Sequence, residues 1–215
     1  RIAWQPSGKE IRIWNTGQTW KLFDLGAESV ERYGYPYLMF HRGDLHLALA
    51  DAVRAEKSDA IHLGAEVVGC DQDGSTVRLK IKGREDVVGD VLVAGDGVHS
   101  AIRQSLYGPD DRIFSGLIAW RGVIEKSKLP EEMQRPVGVN WVGPGGHVVH
   151  YFVRHGEMLN IVGILEKDDW QVESWTAQGT HEECLADFEG WHEAIRETFR
   201  HVETPFKWAL MRREP

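Results

Sequence analysis

Four apolar runs that follow one another without a helical pattern between them constrain the fold of this chain most. They are LIAWRGVI (117–124), VGVNWV (137–142), HVVHYFVR (147–154) and MLNIVGIL (158–165). Parallel strands are joined by crossovers that usually contain a helix, whereas antiparallel strands need only a turn. The succession of strand-like runs therefore predicts a mostly antiparallel sheet in this part of the chain.

The stretch after these runs has the pattern of a helix with one interruption. In EECLADFEGWHEAIRETF (182–199) the apolar residues on one helical face are Leu185, Phe188, Ile195 and Phe199. A stripe of this kind is typical of a helix that packs one side against a core. We expect the helix to break near Gly190, because glycine is unfavourable inside a helix.

A second helix is predicted near the start of the chain. The stretch YLMFHRGDLHLALADAVRA (37–55) reads as a short strand followed by a helix in which Leu45, Leu49 and Val53 recur at helical spacing. Asp44 precedes these residues. Its carboxylate can accept hydrogen bonds from the free N–H groups of a first turn, so we expect Asp44 to be the N-cap.

The segment AEVVGCDQDGSTVRLKIKGREDVV (65–88) predicts a β-meander. Val77, Leu79 and Ile81 alternate with charged residues, which indicates a strand with one solvated face. Asp73-Gly74 between two strand-like runs is a hairpin signal.

The next segment, GDVLVAGDGVHSAIRQSLYG (89–108), differs because its apolar run Val91–Ala94 has no polar alternation. Such a run predicts a strand inside a parallel sheet that is covered on both faces. In sheets of this kind ligands bind at the carboxyl ends of the strands. Gly95 and Gly97 would let the backbone approach a bulky ligand and adopt positive φ. Asp96, between them, would offer an acceptor to a ribose hydroxyl.

The residues after this turn fit the same interpretation. Ser100 is placed to cap a helix that starts near Ala101, and the N–H groups at a helix N-terminus favour a phosphate. Arg103 adds positive charge nearby. A plain strand–turn–helix connection with an acidic surface turn explains the local pattern equally well, so the residues alone leave both possibilities open.

Composition and charge exclude several classes of protein. The net charge of −8 argues against a nucleic-acid binder, which would carry a basic face. The sequence has no apolar run of membrane-spanning length, so no membrane partner is expected. Two cysteines are too few for a disulfide framework, which favours a reducing cytoplasm, and no histidine spacing indicates a metal site.

The segment DVLVAGDGVHSAIRQSLYG (90–108) resembles the Asp-Gly motif of the single-component FAD-dependent aromatic hydroxylases. That motif is an apolar strand, Asp-Gly, two residues, Ser, two residues and Arg, and it is matched by Asp96, Gly97, Ser100 and Arg103. FHRGDLHLAL (40–49) resembles the family segment in which an arginine before a helix contacts the flavin, and Arg42 is the matching residue. The resemblance implies that these five residues bind FAD.

Further segments resemble the same family in the same order. VGPGGHVVHYFVR (142–154) and GEMLNIVGIL (156–165) resemble substrate-domain strands of the salicylate, 3-hydroxybenzoate and 6-hydroxynicotinate hydroxylase branch. KWALMRREP (207–215) resembles the segment before the family's Gly-Asp motif. The G-x-G-x-x-G unit that opens the family and the Gly-Asp motif itself are not in the sequence, so we expect a central fragment of a longer protein.

The resemblance implies an aromatic-ring monooxygenase that uses FAD, NADH or NADPH, and O₂. Reduced flavin would form a C4a-hydroperoxide that hydroxylates a phenolic aromatic acid. Alternation places His147 and Tyr151 on one face of a strand that forms a wall of the substrate pocket in the family, so both are candidate catalytic residues. Alternatively, Tyr151 has a solvated tip and His147 is satisfied by backbone.

The expected fold is therefore a mixed α/β or α+β protein with two domains. Residues 1–109 would be part of a Rossmann-type FAD-binding domain with a β-meander. Residues 110–215 would form the substrate-binding sheet with helices, with the tail returning toward the FAD domain. Unpaired strand edges predict a homodimer or other self-association. Another FAD oxidoreductase, such as a reductase or halogenase, and a folded binding module without flavin remain alternatives.

Overall fold

The computed structural model describes residues 2–109, 112–167 and 177–213. Its helices are α1 (Ala27–Tyr33), α2 (Arg42–Glu56), α3 (Ala101–Tyr107), α4 (His181–Asp187) and α5 (Glu193–Arg200). Its strands are β1 (Gly8–Ile13), β2 (Thr19–Asp24), β3 (Val67–Gln72), β4 (Val77–Ile81), β5 (Val87–Gly89), β6 (Ile113–Glu125), β7 (Val137–Gly143), β8 (Gly146–Val153), β9 (Met158–Glu166) and β10 (Phe206–Arg212). The predicted mixed α/β fold, with a small β-meander and a larger, mostly antiparallel sheet, is confirmed.

The chain forms two compact units. The first comprises residues 1–48 and 114–212, and the second comprises residues 49–113 and 213–215. The first unit thus takes in an N-terminal segment that the predicted division near residue 109 assigned to the other domain. The physical reason is strand pairing, because β1 lies beside β7 in the same sheet. The assignment of the two predicted domains to FAD and to substrate stays a prediction.

The first unit is built on a seven-stranded sheet with the order β10-β6-β9-β8-β7-β1-β2. The pairs β6–β9, β8–β9, β7–β8 and β1–β2 are antiparallel, whereas β1 and β7 are parallel. The four apolar runs of the sequence become β6 to β9, so the predicted mostly antiparallel sheet is confirmed. Strands β1 and β2 were not anticipated.

One face of this sheet packs on the core and the other does not. Along β8 the side chains of Val148, His150 and Phe152 are buried, whereas His147 and Tyr151 on the opposite face are partly exposed. The core residues come from the buried face of the sheet and from the region of α4 and α5, and include Trp120, Trp141, Leu159, Ile161, Phe188, Ile195 and Phe199. The rings of Phe188 and Phe199 stack with their centroids 4.6 Å apart.

The helical stretch of the sequence forms two helices, as predicted. Helix α4 begins with a capping box in which Thr180 and Glu183 satisfy each other's backbone N–H groups. It ends before Gly190, whose φ of +79° is readily adopted only by glycine. Helix α5 then buries Ile195 and Phe199, which share a face because they are four residues apart.

The second unit contains the predicted meander, with β3, β4 and β5 paired in antiparallel order. The β3–β4 turn is held by Asp73, whose carboxylate accepts hydrogen bonds from the backbone N–H groups of Ser75 and Thr76 at 3.0 and 2.9 Å. These bonds hold the pKa of Asp73 far below its usual range, with the Thr76 bond the largest cause. Helix α3 follows the meander and lies against β3.

The predicted buried strand at Val91–Ala94 is wrong. These residues have no regular secondary structure, and the side chains of Val91 and Val93 are 80% and 88% exposed. A strand exists only where a neighbour completes its hydrogen-bond ladder. Among the described residues of this unit, the sheet ends at β5 and offers this run no such neighbour.

Helix α2 is confirmed, but its start differs from the prediction. It begins at Arg42, so Asp44 lies in the first turn and is not the N-cap. Asp44 instead binds side chains, as described below. The apolar stripe predicted for this helix is solvent-exposed, with Leu49 at 59%. Periodicity identified the helix correctly, although none of its residues is buried.

Candidate functional site

A cavity of about 460 Å³ opens on the face of the large sheet opposite the core. The strands contribute Arg121 from β6, Tyr151 from β8 and Asn160 from β9. Apolar lining comes from Phe40, Gly122, Val123, Val153 and Phe206, and the other polar residues are His41, Arg42, Glu203 and Thr204. A half-enclosed cleft with an apolar body and a few polar groups is the usual form of a small-molecule site.

Strand register explains how the polar residues meet. Asn160 pairs with Val123 on one side and with Tyr151 on the other, so these three form one row across the sheet. Arg121 pairs with Val162, two residues further along β9, and belongs to the next row on the same face. The Cα atoms of Arg121 and Tyr151 are therefore roughly 12 Å apart, from the strand spacing and rise per residue.

The guanidinium of Arg121 lies over two aromatic rings of β10. Its Cζ lies 4.4 Å from the ring centroid of Trp208 and 5.5 Å from that of Phe206. Burial lowers the pKa of Arg121, and the nearby charge of Arg42 lowers it further. Arginine stays protonated in proteins despite such shifts, so the cavity holds two guanidinium cations.

Tyr151 is the predicted catalytic residue that lines this cavity. Burial raises the pKa of its phenol, and Tyr37 raises it further. Tyr151 therefore keeps its proton at neutral pH and presents an O–H donor to the cavity. Arg42, predicted to contact the flavin, lines the same cavity.

His147 lies on the same sheet face as Tyr151, as alternation predicted, but it is not among the residues that line the cavity. Four residues of β-strand separate the two side chains by about 13 Å. A single small group cannot touch both at once. The catalytic role of His147 stays a prediction that the cavity does not itself support.

His150 is the strand neighbour on the core face and has a structural environment. It is 2% exposed, and its Nε2 accepts a hydrogen bond from Trp141 Nε1 at 3.1 Å. Burial lowers its pKa to about 3, and the charges of Arg12 and Lys9 contribute. His150 is therefore a neutral core histidine with no route to the cavity chemistry.

The start of α2, which carries Arg42, is tied to the turn between β8 and β9. Arg154 donates from Nε to Asp44 Oδ2 at 2.9 Å and from Nη2 to Asp44 Oδ1 at 3.0 Å. His41 Nδ1 lies 3.2 Å from the same Oδ1. These contacts hold the pKa of Asp44 below its usual range, with the Arg154 bond the largest cause. His41 and Arg42 thus enter the cavity from an anchored helix start.

In the second unit the four residues of the Asp-Gly motif line one open cleft of about 500 Å³. These residues are Asp96, Gly97, Ser100 and Arg103, and Arg213 lines the cleft with them. Gly97 has φ of +74°, as expected for a glycine that lets the backbone turn beside a ligand. A Cβ at Gly95 or Gly97 would meet no atom of the described residues within 4 Å.

The same residues also cap helix α3. Ser100 is the N-cap, as predicted, and its Oγ accepts from the Arg103 N–H at 2.9 Å. Asp96 Oδ2 accepts from the Ile102 N–H at 3.2 Å. Hydrogen bonding, chiefly from Ser100, lowers the pKa of Asp96. Capping and ligand binding are compatible, since a carboxylate has about four acceptor sites.

Sequence reasoning missed Arg121 and Asn160. Each is a polar residue inside a strand-like apolar run, at a position that alternation assigns to the non-core face. That signal was available for Arg121, the one charged residue of LIAWRGVI. The local sequence does not show which strands lie side by side. The row that joins Asn160 to Tyr151 could therefore not be predicted.

The described ranges contain neither a metal-ligand cluster nor a membrane-spanning helix. No group of three or more His, Cys, Asp or Glu side chains within residues 2–109, 112–167 and 177–213 is arranged to hold a metal ion. Over these same residues, no helix has both the length and the apolar character that crossing a bilayer requires.

The sequence is similar to those of aromatic-acid monooxygenases. It is 34% identical over 217 residues to the 3-amino-4-hydroxybenzoate 2-monooxygenase PtnB3 of Streptomyces platensis, a match that covers 100% of this chain and 53% of that protein. It is 31% identical over 186 residues to the 3-hydroxybenzoate 6-hydroxylase of Polaromonas naphthalenivorans, with 86% of this chain and 46% of that protein covered. No protein-family model matches the chain.

The fold is also similar to that of a solved flavoprotein structure. Klebsiella pneumoniae HpxO, crystallised with FAD and uric acid, superposes with a TM-score of 0.79 at 21% identity over 100% of this chain and 54% of that one. At this identity the likeness establishes the fold alone. The chain spans about half the length of the curated relatives it matches.

Proposed function

The chain is homologous over its whole length to FAD-dependent aromatic-ring monooxygenases, and on that premise we propose that the whole protein hydroxylates a hydroxylated aromatic acid with NADH or NADPH and O₂. The observation that carries the proposal is the cavity on the open face of the large sheet. Its lining combines a protonated phenol, Tyr151, and two arginines, Arg42 and Arg121, with several apolar side chains. An anionic, hydroxylated ring fits both its charge and its hydrogen-bonding groups.

The residues of the Asp-Gly motif fit a role in holding FAD. The cleft beside Gly97 is open where a Cβ would otherwise stand, and Asp96 keeps acceptor capacity beyond its bond to Ile102. We assign Asp96 to a ribose hydroxyl, and Gly97, Ser100 and Arg103 to the neighbouring part of the cofactor. Arg42 would contact the flavin from the start of α2. When bound, FAD supplies the redox and oxygen chemistry that side chains lack.

The chain's own residues would orient the substrate and keep water away. Tyr151 would donate a hydrogen bond to the ring oxygen, which stabilises a phenolate and makes the ring more nucleophilic. Asn160, its neighbour in the row, can add a second polar contact. Phe40, Val153 and Phe206 give the cavity an apolar wall, and an apolar wall disfavours the water that would compete with ring hydroxylation. His147, the second candidate catalytic residue, would contact the substrate further along the same face of β8.

We also propose domain roles, a cellular location and an oligomeric state for the enzyme. We propose that residues 1–109 supply the FAD contacts, with Phe40 and His41 of this part also lining the substrate cavity, and that residues 110–215 form most of the substrate-binding sheet, with the tail returning to the FAD domain. Supply of NADH or NADPH suits a cytoplasmic location. Self-association as a homodimer is tested by light scattering, which would show a mass near that of the monomer if the expectation is incorrect.

A flavin spectrum and an activity assay of the whole protein test the main proposal directly. We expect a yellow protein with a flavin spectrum that oxidises NADH or NADPH faster when 3-hydroxybenzoate or 3-amino-4-hydroxybenzoate is added. Mass spectrometry after reaction under ¹⁸O₂ should show one labelled oxygen on the ring. A colourless protein would contradict the proposal and favour a flavin-free binding module. A halogenated or ring-reduced product would favour another FAD oxidoreductase.

A further inference from the structure

The large-sheet cavity carries more positive than negative charge. Arg42 and Arg121 line it, whereas its acidic lining residue is Glu203, which is exposed. The charge of Glu203 is therefore screened by solvent, while the environment of Arg121 is partly desolvated. A cleft with one dominant sign of charge and low-dielectric walls concentrates ligands of the opposite sign. The electrostatics of this cavity favour an anion.

The geometry of Arg121 suits a planar anion. The Cζ of Arg121 lies over the rings of Trp208 and Phe206, 4.4 and 5.5 Å from their centroids, and contact with two aromatic rings limits the freedom of the guanidinium. A guanidinium held in this way matches the two oxygens of a carboxylate in a bidentate pair. Because the group is already ordered, little side-chain entropy is lost when the anion binds.

The position of Arg121 relative to Tyr151 suits an aromatic acid. The two residues project from the same sheet face with Cα atoms roughly 12 Å apart, and both line the cavity. A benzene ring that carries a carboxylate and a hydroxyl could therefore place one substituent at each residue. The apolar residue between them in the wall, Val123, would contact the ring.

We propose that Arg121 binds the carboxylate of the aromatic acid substrate and thereby sets the preference of the enzyme for acids over neutral phenols. The proposal rests on the proposed function. It assigns the carboxylate end of the substrate to β6 and the hydroxyl end to β8. Arg121 is then a specificity-determining residue, whereas Arg42 is left to the cofactor.

Isothermal titration of the whole protein, without NADH or NADPH, tests this assignment. The probes are 3-hydroxybenzoate and 3-amino-4-hydroxybenzoate, each beside the corresponding benzyl alcohol, which keeps the ring hydroxyl and lacks the carboxylate. For Arg121→Gln we expect the Kd of the acids to rise roughly 10- to 100-fold, the loss typical of a charge-assisted hydrogen bond, with the alcohols changed less than about threefold. Arg121→Lys, which keeps charge and stem but loses the planar fork, should fall between wild type and Arg121→Gln.

Controls separate the possible outcomes. Arg54→Gln, on the exposed end of α2, should leave both kinds of probe unchanged. Equal loss for acids and alcohols in Arg121→Gln, or loss of acid binding in Arg42→Gln with none in Arg121→Gln, would overturn the proposal. Acid binding that depends on Arg121 in a protein that does not hydroxylate would count against the proposed function and support this inference. Hydroxylation of acids with an unchanged KM in Arg121→Gln would support the proposed function and contradict this inference.

Discussion

The guanidinium of Arg154 forms two hydrogen bonds with the carboxylate of Asp44, at 2.9 and 3.0 Å. Arg154 lies just after β8 with a positive φ of 49°, and Asp44 lies in the first turn of α2. The pair thus connects the sheet that carries Tyr151 to the helix start that carries Arg42. Both cavity-lining residues are anchored to one ion pair.

Removing this pair should loosen the start of α2. For Arg154→Ala we expect amide exchange at residues 45–48 to quicken roughly two- to fivefold, the range for a partly exposed ion pair. The pKa of Asp44 should rise toward its ordinary value, because the bond from Arg154 is the main cause of its depression. Hydrogen-exchange mass spectrometry and a carboxyl NMR titration measure the two effects. Arg54→Ala, at the other end of the helix, is the matched control, and unchanged exchange in Arg154→Ala would contradict the prediction.

Gly163 in β9 leaves room for the ring of Phe188. A Cβ at position 163 would lie 2.2 Å from Phe188 Cζ, so Gly163→Ala should cost about 1–3 kcal/mol through overpacking. In Gly138→Ala, on β7, the nearest atoms are 3.5 Å away and the cost should stay within about 0.5 kcal/mol. Urea unfolding compares the two. The double variant Gly163→Ala/Phe188→Leu should recover part of the loss, and equal costs at both glycines would refute the argument.

His150 should make the protein less stable in mild acid. Its folded-state pKa is about 3 against an ordinary value of 6.5, so between these values the unfolded chain binds a proton that the folded protein does not. Stability is therefore lost as pH falls below 6.5, by about 2 kcal/mol at pH 5. His150→Gln, which keeps an acceptor for Trp141, should show a shallower dependence of the free energy of unfolding on pH between 7.5 and 5. Identical slopes would show that His150 is not the titrating group.

Asp96 has a capping role and a proposed cofactor role, and the two can be separated. Asp96→Asn keeps an acceptor for the Ile102 N–H but removes the charge, so FAD should bind the whole protein roughly tenfold more weakly with little change in melting temperature. Ser100→Ala removes the N-cap of α3 and should cost about 1 kcal/mol of stability. Asp59→Asn, at an exposed site, is the control. FAD affinity that is unchanged in Asp96→Asn would leave only the capping role.

Tyr151 and His147 should differ in their effects on turnover. Tyr151→Phe removes the O–H donor from the cavity and should lower kcat of the whole protein roughly 100-fold, at the low end for acid–base groups. His147→Ala should have a smaller effect, because His147 does not line the cavity. Steady-state kinetics across pH distinguishes the variants, and far-ultraviolet circular dichroism checks folding. A larger loss in His147→Ala would move the chemistry to the other end of the strand.

Local patterns predicted the elements of this fold well where one face is buried and the other is wet. The four strands β6 to β9 were predicted from successive apolar runs, and the interrupted helix around Gly190 was predicted from helical spacing. Long-range pairing was not readable, because the parallel partner of β1 lies on β7, far along the chain. The run Val91–Ala94 shows the converse limit, since an apolar run without alternation does not reveal whether a neighbour is present.

The candidate site was predictable where a local sequence pattern marks its residues, and not where it depends on strand adjacency. Alternation placed Tyr151 and His147 on one face, and the family resemblance assigned that face to the substrate pocket. The Asp-Gly motif picked out Asp96, Gly97, Ser100 and Arg103, which line one cleft. Arg121 was missed because its significance comes from Trp208, on a strand whose adjacency no local pattern shows. The ion pair of Asp44 was missed because capping and pairing use the same carboxylate, and only the position of Arg154 decides between them.

The parallel pairing of β1 with β7 also affects how the chain must assemble. Ser7 and Pro136, at the start of this pairing, are 129 residues apart in sequence and joined by a side-chain hydrogen bond of 2.8 Å. During synthesis on the ribosome β1 emerges well before β7 exists. The backbone groups on the edge of β1 that faces β7 therefore stay in solvent or in a temporary pairing, whereas the other edge can pair with β2 at once. Closure of so distant a contact is intrinsically slow, and the nascent chain should therefore depend on chaperones more than a helical protein of equal length.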